Sequence, residues 1–284
     1  MSRLFFVITH YTGAAQFGFG DVLLHTPLVG WAARVCGEPV DVGTIPEMEW
    51  IVERCRAAGS FTVVGSARDA WRAAAGRVCV MSDCSIDDYP YHEEGLSYTQ
   101  LIARRMGIPD DGTLLPAPLY DTTPADRAEA HALLDRLGHR GGPLVTVNTR
   151  GRTRASAPGL TQAEYLQLLL ALARGAGASV LIGDLAGGLV PAPLVSVSAP
   201  LPVWAALIEM SNLWVGECTG PYHLATALET PTAMFSASGM DNRAWTASRY
   251  SRAASWVFEG ASGRPDRLAS AVSRLAAAVR SMDQ

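Results

Sequence analysis

The chain has 284 residues, 49% hydrophobic and 18% charged, which is the balance of a globular protein with one large or two medium cores and excludes a disordered one. A net charge of −4 and a pI near 5.9 leave no basic field for nucleic acid. All 23 basic residues are arginine, so a cationic contact to phosphate has to use a guanidinium fork.

In chain order, Leu4 to Thr9 reads as a buried strand. A glycine-rich loop, TGAAQFGFGD, leads into a helix over VLLHTPLVGWAARV. Val40 to Val42 is a short strand, Met48 to Ala57 a helix and Phe61 to Val64 a strand. Ser66 with Asp69 forms a capping box before a helix over Ala67 to Ala75, and Val78 to Met81 is a strand. Ser82 to Tyr91 is a turn-rich loop, and EGLSYTQLIARRMGIP is an amphipathic helix ending at Gly107. Asp110 to Tyr120 has the composition of a linker, which places a domain boundary near 118–123.

A second series then begins. Thr123-Pro124-Ala125-Asp126 caps a helix to Leu137, stopped by Gly138, and Leu144 to Val147 is a strand running into the polar loop NTRGRTRASAPG. Thr161 and Glu164 make a capping box for a helix ending by Gly175, with Tyr165, Leu168, Leu169 and Leu172 on one face. Strands follow at Ser179 to Ile182 and Val195 to Val197, then a helix over Val203 to Met210 and a strand over Leu213 to Val215. Thr219-Gly220-Pro221 opens a helix, Thr232 to Phe235 is a strand, and Trp256 to Phe258 another. A final helix follows Pro265, with Leu268, Val272, Leu275 and Val279 on one stripe. Short apolar strands alternating with helices define an α/β protein with parallel sheets in two Rossmann-like halves.

Five cysteines include no CxxC pair, so neither a disulfide framework nor a zinc site is expected, and a cytoplasmic location is. The uncharged stretch between Asp184 and Glu209 is broken by four prolines, which argues against membrane insertion. GFGDVL lacks the third glycine of a dinucleotide fingerprint and carries Asp21 at the helix start. Asp21 reads either as an N-cap or as a carboxylate beyond a strand's C-terminal end, where open α/β sheets place ligands. The turn before Thr219-Gly220-Pro221 reads either as an ordinary connection or as a helix N-terminus cradling phosphate.

Four segments together resemble glycosyltransferase family 9, the ADP-heptose:lipopolysaccharide heptosyltransferases: GDVLLHTPL (Gly20 to Leu28), HEEGLSYTQLIARRMGIP (His92 to Pro109), VTVNTRGRTR with the helix and strand after it, and GECTGPYHLATALETPTAMFSAS. The resemblance implies the GT-B fold, two Rossmann-like domains with parallel sheets facing across a cleft. It places an acceptor-binding domain at 1–120, a nucleotide-sugar-binding domain at 121–265 and a C-terminal helix at 266–284 that in the family often returns to the first domain. The implied activity is inverting, metal-independent transfer of a heptose-like sugar from a nucleotide-diphospho-sugar, ADP-heptose above all, with no cofactor.

In that scheme Asp21 is the general base, with Gly20 on the acceptor side; His25 and His92 either face the acceptor or are satisfied core or surface histidines. Thr149, Arg150, Arg152 and Arg154 lie near the donor diphosphate, or their loop is only a solvated charge run. Asp184 contacts the ribose or is only a turn aspartate. Glu217, Cys218, Thr219, Gly220 and Pro221 form the diphosphate cradle, and His223 orients that turn, contacts phosphate or is a buried structural histidine. Cys218 stands where the family commonly has an acid, which leaves recognition of the donor sugar open. The first domain is short for the family and carries no basic amphipathic helix, so the expected acceptor is a small soluble hydroxyl or amine compound, such as a natural-product intermediate. The rival readings are a nucleotide-sugar epimerase or hydrolase on the same fold, and a nucleotide-sugar-binding protein that has lost catalysis.

Overall fold

A computed structural model of the protein describes residues 4–9, 18–64, 67–83, 98–108, 118–148, 159–183, 190–236 and 253–282. They form two α/β units, the first ending at Asp121 and the second beginning at Thr122.

In the first unit, strands β1 (Leu4–Thr9), β2 (Val40–Thr44), β3 (Ala58–Val63) and β4 (Val78–Asp83) form one parallel sheet in the order β3-β2-β1-β4. Helix α1 (Phe19–Cys36) follows β1 and buries most of its length. Pro27 inside α1 cannot donate to the Leu23 carbonyl, and the Thr26 hydroxyl donates to it instead at 2.6 Å. The same hydroxyl accepts the Leu119 N–H at 2.7 Å, fastening the end of the linker to α1. Helices α2 (Glu49–Val52), α3 (Ala67–Ala74) and α4 (Tyr98–Arg105) complete the unit, and Gly107, at φ +69°, forms the stop expected after α4.

The helix expected over Met48 to Ala57 shrinks to a 3₁₀ turn, Pro46–Met48, and the single turn of α2. Its remainder is taken up by tight turns and by sheet pairing: the Val40 N–H donates to the Ala57 carbonyl, and Ala58 pairs with Val40. Strand β3 therefore starts three residues before the Phe61 expected from its apolar run. Of the Ser66–Asp69 capping box, Ser66 lies outside the described residues.

The second unit begins with α5 (Pro124–Arg136), capped by Thr123 and Asp126 as the sequence predicts. Strands β5 (Leu144–Asn148), β6 (Ser179–Ile182), β7 (Val195–Ser196), β8 (Leu213–Gly216), β9 (Thr232–Ser236) and β10 (Ser255–Glu259) form a parallel sheet ordered β10-β9-β8-β5-β6-β7. Numbered from β5, this is the strand order of the dinucleotide-binding fold, with its switch of direction between β5 and β8. Helices α6 (Gln162–Ala176) and α9 (Pro265–Met282) cover one face, while α7 (Leu201–Glu209) and α8 (Gly220–Ala227) fall in the stretches that cross to β8 and β9. With both faces covered, β5, β8 and β9 are buried throughout, which is why they read as apolar runs.

Helix α6 passes through Gly175 and stops at Gly177, φ +65°, two residues later than the sequence suggested. Helix α7 starts at Leu201, two residues early, because Pro202 fits the first turn where no N–H is needed. Helix α9, for which the resemblance raised a return to the first domain, lays Leu268, Ala271, Leu275 and Val279 into the core beneath α6, and Arg280 donates to the Gly175 carbonyl at 2.8 Å.

Candidate functional site

Each unit presents one group of candidate residues, and both groups sit where a helix follows the first strand outward from a switch point. In the first unit that strand is β1, flanked by β2 and β4, and the helix is α1. Asp21 is not the N-cap, as one reading of the sequence had it. Gly18 holds that position, and Asp21 stands three residues on in the first turn. Its Oδ2 accepts the Gly18 N–H at 2.8 Å, and a Cβ at residue 18 would lie 3.2 Å from that oxygen, so glycine leaves the carboxylate its room. Oδ1 has no hydrogen-bond partner among the described residues. Burial pushes the carboxyl up from 3.8 to about 6, and the single N–H bond from Gly18 only partly opposes this. A carboxylate with such a pKa is ionised at neutral pH yet basic enough to take a proton.

Gly20, placed on the acceptor side by the resemblance, is buried in the same turn. His25, the other described residue with an acceptor-side reading, has no exposed surface. Its Nδ1 lies 2.6 Å from the Asp21 carbonyl, which can only accept, so Nδ1 carries the proton and the ring braces the turn from below. Phe19, at the first helical position, packs edge-on against Trp50 at 5.6 Å, and Trp50 packs against Tyr120 at 5.8 Å.

In the second unit the candidates follow β8. Gly216 ends that strand beside Asn148, the last residue of β5. A Cβ at residue 216 would lie 2.3 Å from the Asn148 carbonyl oxygen, so only glycine fits. Glu217 is half-buried and its Oε1 accepts the Gly159 N–H at 3.0 Å, tying Gly159 to the residue that follows β8. Gly159 in turn lies flat on β9, where a Cβ would come within 2.4 Å of the Phe235 carbonyl carbon. Neither contact is visible in the sequence.

Thr219 is the N-cap of α8 in an extended conformation, and its hydroxyl is buried with no hydrogen-bond partner among the described residues. Gly220 supplies an N–H with no intrahelical acceptor, while Pro221 supplies none. Ser236, at the end of β9, likewise has a buried hydroxyl without a partner among the described residues, and the sequence did not single it out. His223 is buried, and burial lowers its pKa to about 3. It is therefore neutral at physiological pH and brings no positive charge to a phosphate. Tyr222 is fully buried against Trp214, with ring centroids 5.6 Å apart. Cys218 is half-buried beside the cap.

His92, Thr149, Arg150, Arg152, Arg154 and Asp184 lie outside the described residues. Among the described residues, no cluster of three or more His, Cys, Asp or Glu side chains is placed to hold a metal ion. None of the helices described is long and apolar enough to cross a membrane.

This architecture is the fold of the GT-B glycosyltransferases. The chain matches the glycosyl transferase family 9 structure from Veillonella parvula DSM 2008 with a TM-score of 0.66 and 12% identity, over 90% of this chain and 86% of that one. It matches E. coli ADP-heptose lps heptosyltransferase II at a TM-score of 0.70 and 12% identity, over 99% of each chain. For E. coli heptosyltransferase WaaC with ADP the values are 0.54 and 15%, over 98% of this chain and 99% of the other. At such identities the likeness is one of fold. No protein-family profile and no curated protein sequence matches the chain.

Proposed function

We propose that the protein is an inverting glycosyltransferase that moves a sugar from a nucleotide-diphospho-sugar to a hydroxyl of a small acceptor. The observation that carries this reading is Asp21: a carboxylate in the first turn of the helix after β1, with one oxygen tied to Gly18 and a pKa raised to about 6 by burial. The other oxygen takes the proton as the acceptor oxygen attacks the anomeric carbon. The bond from that carbon to the diphosphate breaks, and the nucleoside diphosphate leaves with the electron pair. In the second unit, the start of α8 at Thr219 and Gly220 meets the departing charge with backbone N–H groups and the helix dipole. The loop arginines Arg150, Arg152 and Arg154 add positive charge that His223 cannot supply, so the scheme calls for no metal.

The donor we favour is ADP-heptose. The fold of ADP-heptose lps heptosyltransferase II supports this choice, as do the motif GECTGPYHLATAL and its place after β8. A small acceptor and a cytoplasmic location complete the reading, in keeping with the acidic, cysteine-poor composition.

A thermal-shift series with ADP-, UDP-, GDP- and dTDP-sugars, followed by product analysis with and without acceptor, tests it. A donor at a hundred times its dissociation constant stabilises by about 2.7 kcal/mol, and sugar appears on the acceptor only when both substrates are present. Donor consumed without acceptor would establish an epimerase or hydrolase instead. Donor bound but never consumed would establish a binding protein.

A further inference from the structure

The first sheet leaves one edge open. Among the described residues, β3 pairs with β2 on one side and with no strand on the other. Its residues from Gly59 to Val63 are all exposed, Phe61 by 37% and Val63 by 45%. Sheet edges usually carry a charge or a proline, or are too short to pair with another chain. The other edges of the two sheets follow that rule. Strand β7 has two residues, β4 ends in Asp83, and at β10 Arg267 donates to the Glu259 carbonyl at 3.1 Å. The run Ala58 to Val64 has neither charge nor proline, and a register shift at its start, opposite Val40 and Val42, is its one irregularity.

Strand β3 is held firmly from behind. The Ser60 hydroxyl donates to Asp41 Oδ1 at 2.6 Å, and Arg77 donates to Oδ2 of the same carboxylate. Val64 packs with Phe5 and Val7 on the α3 side of the sheet, so alternation puts Ser60 and Thr62 on that side and Phe61 and Val63 on the other. The Val64 N–H donates to the Thr44 carbonyl at 2.9 Å, and Thr62 pairs with Gly43, so these residues aim their backbone groups at β2. The N–H and C=O groups of Phe61 and Val63 therefore point outward, where a further strand would lie.

We propose that β3 is a dimerisation edge, pairing antiparallel with β3 of a second copy of this chain about a two-fold axis at Phe61. A second copy is the occupant because the strand is its own complement about that residue. On the axis, each Phe61 N–H meets the Phe61 carbonyl of the other copy, and the two rings form a cross-strand aromatic pair. Ser60 stands opposite Thr62 of the second copy, and its hydroxyl, already donating to Asp41, accepts from the threonine. Val63 stands opposite Gly59, which has no side chain to obstruct it. No charge is buried, since the strand carries none. The shared surface is isologous, as a two-fold dimer requires, and the two four-stranded sheets join into one. With so short an edge the dimer is weak and exchanges with monomer. This association is independent of the sugar-transfer reading.

Sedimentation velocity on the full chain, over a dilution series into the high micromolar range, tests the proposal. The wild type should pass from monomer to dimer and form nothing larger. Phe61→Lys sets two like charges against each other across the axis, and Val63→Pro removes an outward N–H while leaving every bond to β2. Each should raise the dissociation constant at least about tenfold. Trp71→Lys, which alters a 61%-exposed side chain on α3, should leave it unchanged. Melting temperatures at the lowest concentration confirm that the variants fold. The register has its own test in a Cys36→Ser background, which removes an exposed native thiol. There, Phe61→Cys should give a disulfide-linked dimer under oxidised glutathione, because paired Cα atoms about 5.5 Å apart suit the bond, and Trp71→Cys should not. A wild type that stays monomeric throughout overturns the proposal. So does a dimer that persists undiminished in Phe61→Lys and Val63→Pro, or one that Trp71→Lys dissociates equally. A dimer in which Phe61→Cys does not cross-link overturns the pairing about Phe61.

Discussion

Asp21 Oδ2 accepts the Gly18 N–H at 2.8 Å, so the first turn of α1 is closed by the same carboxylate whose pKa burial raises to about 6. Asn at this position keeps the oxygen that accepts from Gly18 and loses only the charge. Asp21→Asn should therefore fold normally, bind nucleotide as wild type does and lose transfer activity by about 10²–10⁴-fold, the usual contribution of a general base. In the wild type, kcat/KM should rise with pH through about 6 and level off above it as the carboxyl ionises. Steady-state kinetics from pH 5 to 8 checks both, and an unchanged rate in Asp21→Asn would remove the base assignment.

The same carboxyl makes the fold strained at neutral pH. Its folded pKa lies above the ordinary 3.8, so between pH 3.8 and about 6 the native state holds a proton that the unfolded chain has released. Stability falls as pH rises across that window. Above it, Asp21→Asn should be more stable than wild type by on the order of 2–3 kcal/mol, while the difference closes below pH 4. Urea unfolding at pH 4 and pH 8 measures this directly.

His223 works with the opposite sign. Burial depresses its pKa to about 3 against an ordinary 6.5, so the unfolded chain takes up a proton first as the pH drops. Stability is lost progressively from pH 6.5 down to about 3. A His223→Gln variant should lack this slope in a pH series of melting temperatures. Nucleotide affinity in the wild type should show no titration that this variant removes.

Glu164 ties α6 to the turn before α9. Its carboxylate accepts from the Thr161 N–H at 2.7 Å, the Thr161 hydroxyl at 2.8 Å, the Ser262 hydroxyl at 2.9 Å and the Gly263 N–H at 2.6 Å. Desolvation acts to raise its pKa, and these four bonds outweigh it, lowering the value from 4.5 to about 2. The stabilisation is complete above pH 4.5 and fades as pH falls toward 2. Glu164→Gln should unfold more easily at pH 7 and be less sensitive to acid between those limits. Denaturant titrations at pH 7 and pH 3 give the comparison.

Two glycines of the second unit should respond in opposite directions to alanine. At Gly216 the new Cβ meets the Asn148 carbonyl oxygen at 2.3 Å and the Trp214 ring at 2.7 Å, and the backbone oxygen cannot step aside. Gly216→Ala should cost at least about 1–3 kcal/mol. Gly175 lies inside α6 with nothing within 4 Å of a Cβ, and Gly175→Ala should stabilise by roughly 0.5–1 kcal/mol. Melting temperatures of the two variants decide the matter.

Local rules were enough for much of the fold. The Thr161–Glu164 and Thr123–Asp126 boxes, the Gly107 and Gly138 stops and the apolar runs of β5, β8 and β9 all stand where the sequence put them, because caps and buried strands are set by residues within a few positions. The order of motifs, with Asp21 after the first strand and Thr219-Gly220 after β8, was likewise legible. What only the tertiary structure decided depends on residues far apart in the chain. Ala58 became strand because Val40 was there to pair with it, and Met48 to Ala57 lost its helix for the same reason. Of the readings open for His25, acceptor contact or core or surface histidine, packing selects a buried ring beneath Asp21, since burial is a property of the whole unit. The Asn148 side-chain oxygen accepts from the indoles of Trp204 and Trp214, 56 and 66 positions away, and no periodicity or motif announces a bond between side chains on different elements. The pKa of Asp21 belongs with these: the sequence supplied the carboxyl, and the packing that removes water from it made it a base.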